Sequence, residues 1–276
     1  MNPQHPHSSP AHPQRSESSQ RSESLPSVDP PSPSVVASEP TSLRVRYRIR
    51  FAKTGLLRWI SHRDLARLWE RLLRRAALKL SMTEGFHPKP RVAFPSALAL
   101  GIESWDEVVE IELAEELSAD ELLDRLCRDQ QPGLHIRQVE QMPPGCAKAQ
   151  LQSSDYVVTI PVEVDLAAVS QAIDRLLQSA TTSFQRKNKH ITVDVAEQIP
   201  CLKILGPQKL FMTLSASATA SLRPGDVLEL IGAADWTARG GIITRTRVTL
   251  QAESSDHDQA LVARATDFSL AEGAAE

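Results

Sequence analysis

Eight residues, Arg44 to Phe51 (RVRYRIRF), alternate without a break. Val45, Tyr47, Ile49 and Phe51 fall on one side and Arg44, Arg46, Arg48 and Arg50 on the other. Successive side chains of a strand point to opposite faces, so this pattern predicts a half-buried strand with a wholly cationic outer face. Gly55 breaks it and the period changes. Leu65, Leu68, Trp69, Leu72, Leu73 and Ala76 recur at helical spacing, while Arg63, Arg67, Arg71 and Arg74 follow the opposite stripe. Ser61 with Asp64 three residues on opens that helix as a capping box, with Asp in place of the longer Glu. A period of two giving way to one of 3.6 commits this stretch to a mixed α and β fold.

The elements that follow extend the pattern. Val92–Leu100 (VAFPSALAL) reads as an irregular strand, interrupted by Pro95 and so placed at an edge or bulge. Glu107–Leu113 is a further strand, Ser118 caps a helix through Leu126 with Glu121 completing a second box, and Leu134–Val139 closes the unit. Strand, helix, strand, strand, helix, strand is the split βαβ order of a ferredoxin-like domain. Met142 to Gly145 marks a linker, and the pattern restarts. Asp155–Val164, Thr182–Gln185, Ile191–Val195, Leu210–Ser217 and Gly241–Leu250 read as strands, Leu166–Gln178 and Pro224–Ile231 as helices. The expected fold is α+β: two tandem ferredoxin-like units at 43–141 and 154–250, joined by a linker at 142–153. Residues 1–42 hold nine Pro and twelve Ser, too little apolar surface to offset backbone entropy, and are expected to be a disordered tail. The end, 251–276, is expected to be loose.

Charge is unevenly placed. From Arg44 to Arg91 there are fourteen Lys or Arg against three acids, a net +11 in a chain that totals −3. Such a patch suits a polyanion. From Gly101 to Asp124 there are ten acids and no Lys or Arg, so pairing within the molecule could absorb part of the charge. Exposed ion pairs are worth only about 0–1 kcal/mol each, which makes stability a weak reason for so polarised a surface. Three widely spaced cysteines, Cys127, Cys146 and Cys201, fit a reducing cytoplasm and lack the close spacing of an iron–sulfur site. No segment has the length of a membrane span or the core of a signal peptide.

Four places carry candidate chemistry. Arg44, Arg46, Arg48 and Arg50 on the strand, with Arg63, Arg67, Arg71 and Arg74 on the helix, form a candidate phosphate-contacting face, because guanidinium forks bind phosphate oxygens in pairs. The bland alternative is a solvated arginine-rich surface. The loop Glu84 to Arg91 (EGFHPKPR) sets Glu84, His87, Lys89 and Arg91 among Gly85, Pro88 and Pro90, a stiff frame for an anion or for acid–base work. His62 and Asp64 could join Glu84 and His87 as catalytic groups; a rigid turn with solvated charges is the alternative. Arg186, Lys187 and Lys189 lead to Asp194 and read as a second phosphate clamp or a charged hairpin tip. Arg223 and Pro224 read as a helix entry, with Arg223 serving an anion or sitting in solvent. Stacking on bases would rest on Tyr47, Trp59, Phe86 or Phe94. No phosphate loop, dinucleotide fingerprint, nucleophile elbow or metalloprotease pair is present.

The stretch from Phe51 to Ser104 resembles the opening of the bacterial radical SAM-linked protein family, a domain of unknown function. Ser61, His62 and Asp64 match its helix start. Glu84, Gly85, Phe86, His87, Pro88, Pro90 and Arg91 match its loop, with Thr83 where Ser is usual. Arg186, Lys189 and Asp194 match a later segment, as do Arg223 and Pro224. The resemblance covers roughly residues 43–250. It implies a partner, a radical SAM protein that carries the iron–sulfur cluster, S-adenosylmethionine and in some cases cobalamin, with no cofactor in this chain. The resulting expectation is an accessory, RNA-binding or substrate-presenting protein in RNA modification. A stand-alone RNA-processing enzyme and a protein–protein adaptor without nucleic acid are the alternatives.

Overall fold

The alternating segment forms strand β1 (Val45–Lys53), whose Val45, Tyr47, Ile49 and Phe51 are buried in one apolar cluster. The structure is a computed structural model that describes residues 43–128, 131–186, 188–217 and 221–251. The expected disordered tail at 1–42, the expected loose end from 252 onward and Lys187 lie outside the described residues. A 3-10 turn (Gly55–Trp59) leads to Ser61, whose Oγ accepts the Asp64 backbone N–H at 3.2 Å and donates to the Asp64 carboxylate at 2.7 Å. Helix α1 (His62–Arg75) starts there. Leu65, Leu68, Trp69, Leu72 and Leu73 face the sheet, each worth about 1.5–3 kcal/mol when fully buried. Trp69 meets Phe51 edge to face at 5.0 Å.

Strand β2 (Val92–Ala93), strand β3 (Glu103–Leu113), helix α2 (Ala119–Cys127) and strand β4 (Leu134–Gln141) follow. The buried Tyr47 hydroxyl donates to the Leu117 carbonyl and accepts the Leu117 N–H, both at 2.8 Å, fixing the turn before α2. Next come β5 (Leu151–Thr159), α3 (Leu166–Leu177), β6 (Thr181–Arg186), β7 (Lys189–Asp194) and the short α4 (Val195–Gln198). Strands β8 (Cys201–Ile204) and β9 (Lys209–Ser215), helix α5 (Pro224–Leu230) and strand β10 (Ile243–Leu250) complete the described chain.

The fold is mixed α+β. One eight-stranded sheet runs β4-β1-β3-β10-β5-β9-β8, with β2 also on β3, and β6 pairs only with β7. All pairs within the large sheet are antiparallel except β3 with β10, where Glu103 and Ser104 meet Thr244 and Arg245 in parallel. Two large apolar clusters lie one in each half.

One expectation needs correction, and two features were not determined by the sequence. The strand expected over Val92–Leu100 is limited to Val92 and Ala93. One edge of β3 serves β2 at Glu110 and Ile111 and β10 at Glu103 and Ser104, so that edge changes partner and the chain after Ala93 has none. The segments around RKNKH, read as strands with their pairing left open, form a separate hairpin of β6 and β7. They bury only Phe184 and Val193 and otherwise carry polar or part-exposed side chains, too little for strands covered on both faces. The edge beside β9 goes instead to Cys201–Ile204, a strand the sequence reading did not identify.

Candidate nucleic-acid interface

The strand expected to present four open arginines uses them internally. Arg48, only 6% exposed, donates to Glu110 at 3.1 and 3.2 Å. Arg50 holds Asp106 at 2.7 and 2.9 Å and reaches the Val248 carbonyl of β10 at 3.2 Å. Arg46 donates to the Cys146 carbonyl at 2.7 Å, and Glu110 accepts the Ala149 N–H at 3.1 Å. The polar face of β1 and β3 is therefore covered by the connecting segment and by β10, and the wholly cationic outer face does not form. The acids of β3 are the cause: antiparallel register sets Arg48 opposite Glu110 and Arg46 opposite Glu112. Arg44, at the mouth of the sheet, pairs with Glu84 at 2.8 Å.

Helix α1 keeps its stripe. Arg63, Arg67, Arg71 and Arg74 are exposed. Arg67 makes a loose pair with Asp64 at 3.4 Å, while Arg63, Arg71 and Arg74 make no ion pair among the described residues. From Arg63 to Arg74 the row extends for about 16 Å at 1.5 Å per residue.

The loop is a two-sided arm. Met82 bridges Pro90, the Thr83 N–H donates to the Lys89 carbonyl at 2.8 Å and the Lys89 N–H to Thr83 Oγ1 at 3.0 Å. Arg91 ties the base through its Nε to the Met82 carbonyl at 3.0 Å and lies 3.7 Å from both Glu84 and Glu112. Gly85, at φ +114, permits the bend at the tip. Phe86, His87 and Lys89 are exposed there.

No hydrogen bond or ion pair among the described residues joins the four candidate acid–base groups across the two segments. His62 lies edge-on to Phe94 at 5.2 Å, at the start of α1. Glu84 is held by Arg44 and Arg91. Asp64 is committed to the cap, and its carboxyl is held below the usual range by the Ser61 hydroxyl, with Arg67 assisting. Such a carboxylate is a weak base at neutral pH. Asp194 caps α4 by accepting the Glu197 N–H at 2.8 Å. Arg186 bonds Asp226 and the Ser221 carbonyl and lies over the Phe184 ring, fastening the hairpin to the start of α5. Lys189 is exposed at the hairpin end. Arg223 donates its backbone N–H to Asp226 at 2.7 Å, and its exposed side chain stands with Pro224 at the lip of a cleft of about 670 Å³ whose far wall is Trp59, Leu100 and Gly101. Among the described residues no group of three or more His, Cys, Asp or Glu is placed to hold a metal ion. Burial pushes the Cys127 and Cys201 thiols up, away from reactive thiolate character.

Sequence reading missed a buried charge network where the halves meet. Arg245 of β10 is buried and holds both oxygens of buried Glu107 at 3.0 and 3.2 Å. It also donates to Ser96 Oγ at 2.9 Å and Tyr156 Oη at 3.2 Å. Lys53, fully buried, reaches the Ile60 carbonyl at 3.4 Å. Burial pushes the Glu107 carboxyl up against the pull of Arg245, and pulls the Lys53 ammonium down despite Glu107. A signal was present: Lys53 continues the parity of Val45, Tyr47, Ile49 and Phe51, and Glu107 that of Val109, Ile111 and Leu113.

The family described as "Uncharacterized protein conserved in bacteria (DUF2344)" matches residues 46–224, a span that contains α1, the arm, Arg186, Asp194, Arg223 and Pro224. A search of curated proteins gave no match. Among the described residues no helix is long and apolar enough to cross a membrane.

Proposed function

We propose that this chain, which belongs to the uncharacterized bacterial family DUF2344, is a cytoplasmic RNA-binding accessory protein that presents substrate to a radical SAM enzyme in RNA modification. The observation that carries the reading is the row Arg63, Arg67, Arg71 and Arg74 on the outer side of α1. The strand arginines are neutralised where they stand, so this row is not a by-product of an arginine-rich composition. Successive members lie about 6 Å apart, a spacing that lets a flexible backbone place one phosphate at each fork. The radical SAM partner, with its cluster, S-adenosylmethionine and in some pairs cobalamin, enters through the resemblance of the loop and helix start. Commitment of Glu84 to Arg44 and Arg91, and of Asp64 to the helix cap, favours an accessory over an enzyme in its own right.

The same reading takes the fold as two ferredoxin-like units in tandem. Its support is the repeated strand order: β4-β1-β3 with β2 beyond β3, then β10-β5-β9-β8, with a hairpin inserted after α3.

Fluorescence anisotropy with a mixed-sequence RNA tests the binding. Affinity is expected to fall steeply with salt, and replacing the four α1 arginines with Gln to flatten the log–log slope by up to about 3, at roughly 0.7 per single-strand phosphate. Affinity that does not change between low and moderate salt rejects the proposal. Co-purification of a radical SAM protein that survives nuclease treatment, with no RNA retained by the pure chain, indicates an adaptor instead.

A further inference from the structure

Three of the four aromatic side chains suggested for stacking rest on a neighbour. Tyr47 is buried with its hydroxyl satisfied in both directions, and Phe94 is half-buried against His62. Trp59 is 57% exposed, but one part of it lies on Gly101, where an added Cβ would come within 3.1 Å of the indole, and Arg58 stands over its ring at 5.2 Å. Phe86 is more exposed than any of them. Its relative exposure is 101%, so the folded chain covers none of it.

That exposure is built, not incidental. The arm beneath Phe86 is closed by the Met82 and Pro90 bridge, by two bonds between Thr83 and Lys89, and by the Arg91 bond to Met82. Pro88 and Pro90 remove backbone freedom on one side, while the Arg44 pair anchors Glu84 on the other. Ordering these residues costs conformational entropy, and Phe86 returns no packing for it within the described structure. The charge around the ring is cationic on balance: Glu84, the acid of the tip, is paired with Arg44 and Arg91 although its side chain stays 83% exposed, and Lys89 is open. A bare ring face beside Lys89, Arg44 and Arg91 is the composition of a single-strand site, where bases stack on the ring and phosphates meet the cations.

We infer that Phe86 is a base-stacking platform, and that the RNA held by this protein is single-stranded where it meets the arm. The inference rests on the RNA-binding reading above and adds to it the form of the substrate and the residue that reads it. Duplex RNA hides its base faces in the stack, so it engages α1 through phosphates without gaining from Phe86.

The test uses the full chain, oligoadenylate carrying one 2-aminopurine, and the same strand annealed to oligouridylate. Phe86→Ala and Phe86→Leu are expected to weaken single-strand binding by roughly tenfold or more. Phe86→Trp should retain the affinity, all three should leave duplex binding unmoved, and 2-aminopurine quenching should follow the ring. The side chain is exposed, so none of these variants threatens folding. Wild-type binding that keeps its salt dependence while Phe86→Ala binds the single strand equally well overturns the stacking role and leaves the α1 reading standing. Retention by Leu with loss by Ala overturns it too, and points to an apolar pocket on a protein partner. Failure of the wild type to bind either RNA rejects both readings.

Discussion

Lys53 and Glu107 are charged residues in positions that the alternation of their own strands assigns to the apolar side. Taking an ammonium out of water disfavours its charged form, and the nearby Arg245 adds to the effect. The folded-state pKa of Lys53 therefore lies below 10.5, and between the two values the unfolded chain binds more protons than the folded one. Unfolding free energy must then rise with pH across that window, because the stability withheld by the buried charge returns as the proton leaves. Lys53→Met keeps the length of the side chain and removes the proton. The stability difference between wild type and Lys53→Met is expected to move in favour of the wild type as pH rises toward 10.5, measured by urea denaturation. A difference that stays constant over that range means that Lys53 does not titrate there. The position was visible in the sequence as a break in parity, but its burial was not, since a strand end is as often a place where alternation simply stops.

Helix α1 is the element most fully legible in the sequence: its cap, its apolar stripe and its basic stripe all stand where spacing puts them. Its end was not. Ala77 adopts φ +53, with its N–H donating to the Arg74 carbonyl and the Leu78 N–H to that of Leu73, a Schellman closure in which buried Leu73 and Leu78 also take part. The left-handed conformation crowds an alanine Cβ against the following carbonyl, and glycine relieves this. Ala77→Gly is expected to stabilise the protein by roughly 0.5–1 kcal/mol, despite the greater freedom glycine gives the unfolded chain. A loss of stability by the same measurement would show that the closure is not strained. The arm 81–91 was legible as a stiff loop because Gly85, Pro88 and Pro90 declare it. Which of its side chains faces outward depended on bonds across the arm, Thr83 with Lys89 and Arg91 with Met82, and on Arg44, which reaches Glu84 from forty positions earlier in the chain.

The described residues form one compact unit, and β3 is the strand that makes them so. It pairs with β1 along one edge and divides the other between β2 and β10. Wild-type protein is expected to unfold in a single transition, with far-UV circular dichroism and tryptophan fluorescence coincident. Trp69 lies in one apolar cluster and Trp236 in the other, so fluorescence reports on both. Arg245→Met leaves Glu107 buried without its ion-pair partner and is expected to cost about 3–5 kcal/mol, with Glu107→Gln added on top restoring part of it. Two separated transitions in the wild type would show instead that the halves are independent. Periodicity, caps and turn residues are local properties, and from them the amino-acid chain alone specified a mixed α+β fold, its first helix and a stiff, decorated loop. The destination of charge was a different matter. Arg46, Arg48 and Arg50 looked like an open cationic face until Asp106, Glu110, the connecting segment and β10 closed over them. Arg63, Arg71 and Arg74 stayed open because the other side of α1 is the one the core takes. Whether a charge is spent or available depends on what lies across from it, and the residues across lie more than fifty positions away in the chain for each of the β1 ion pairs.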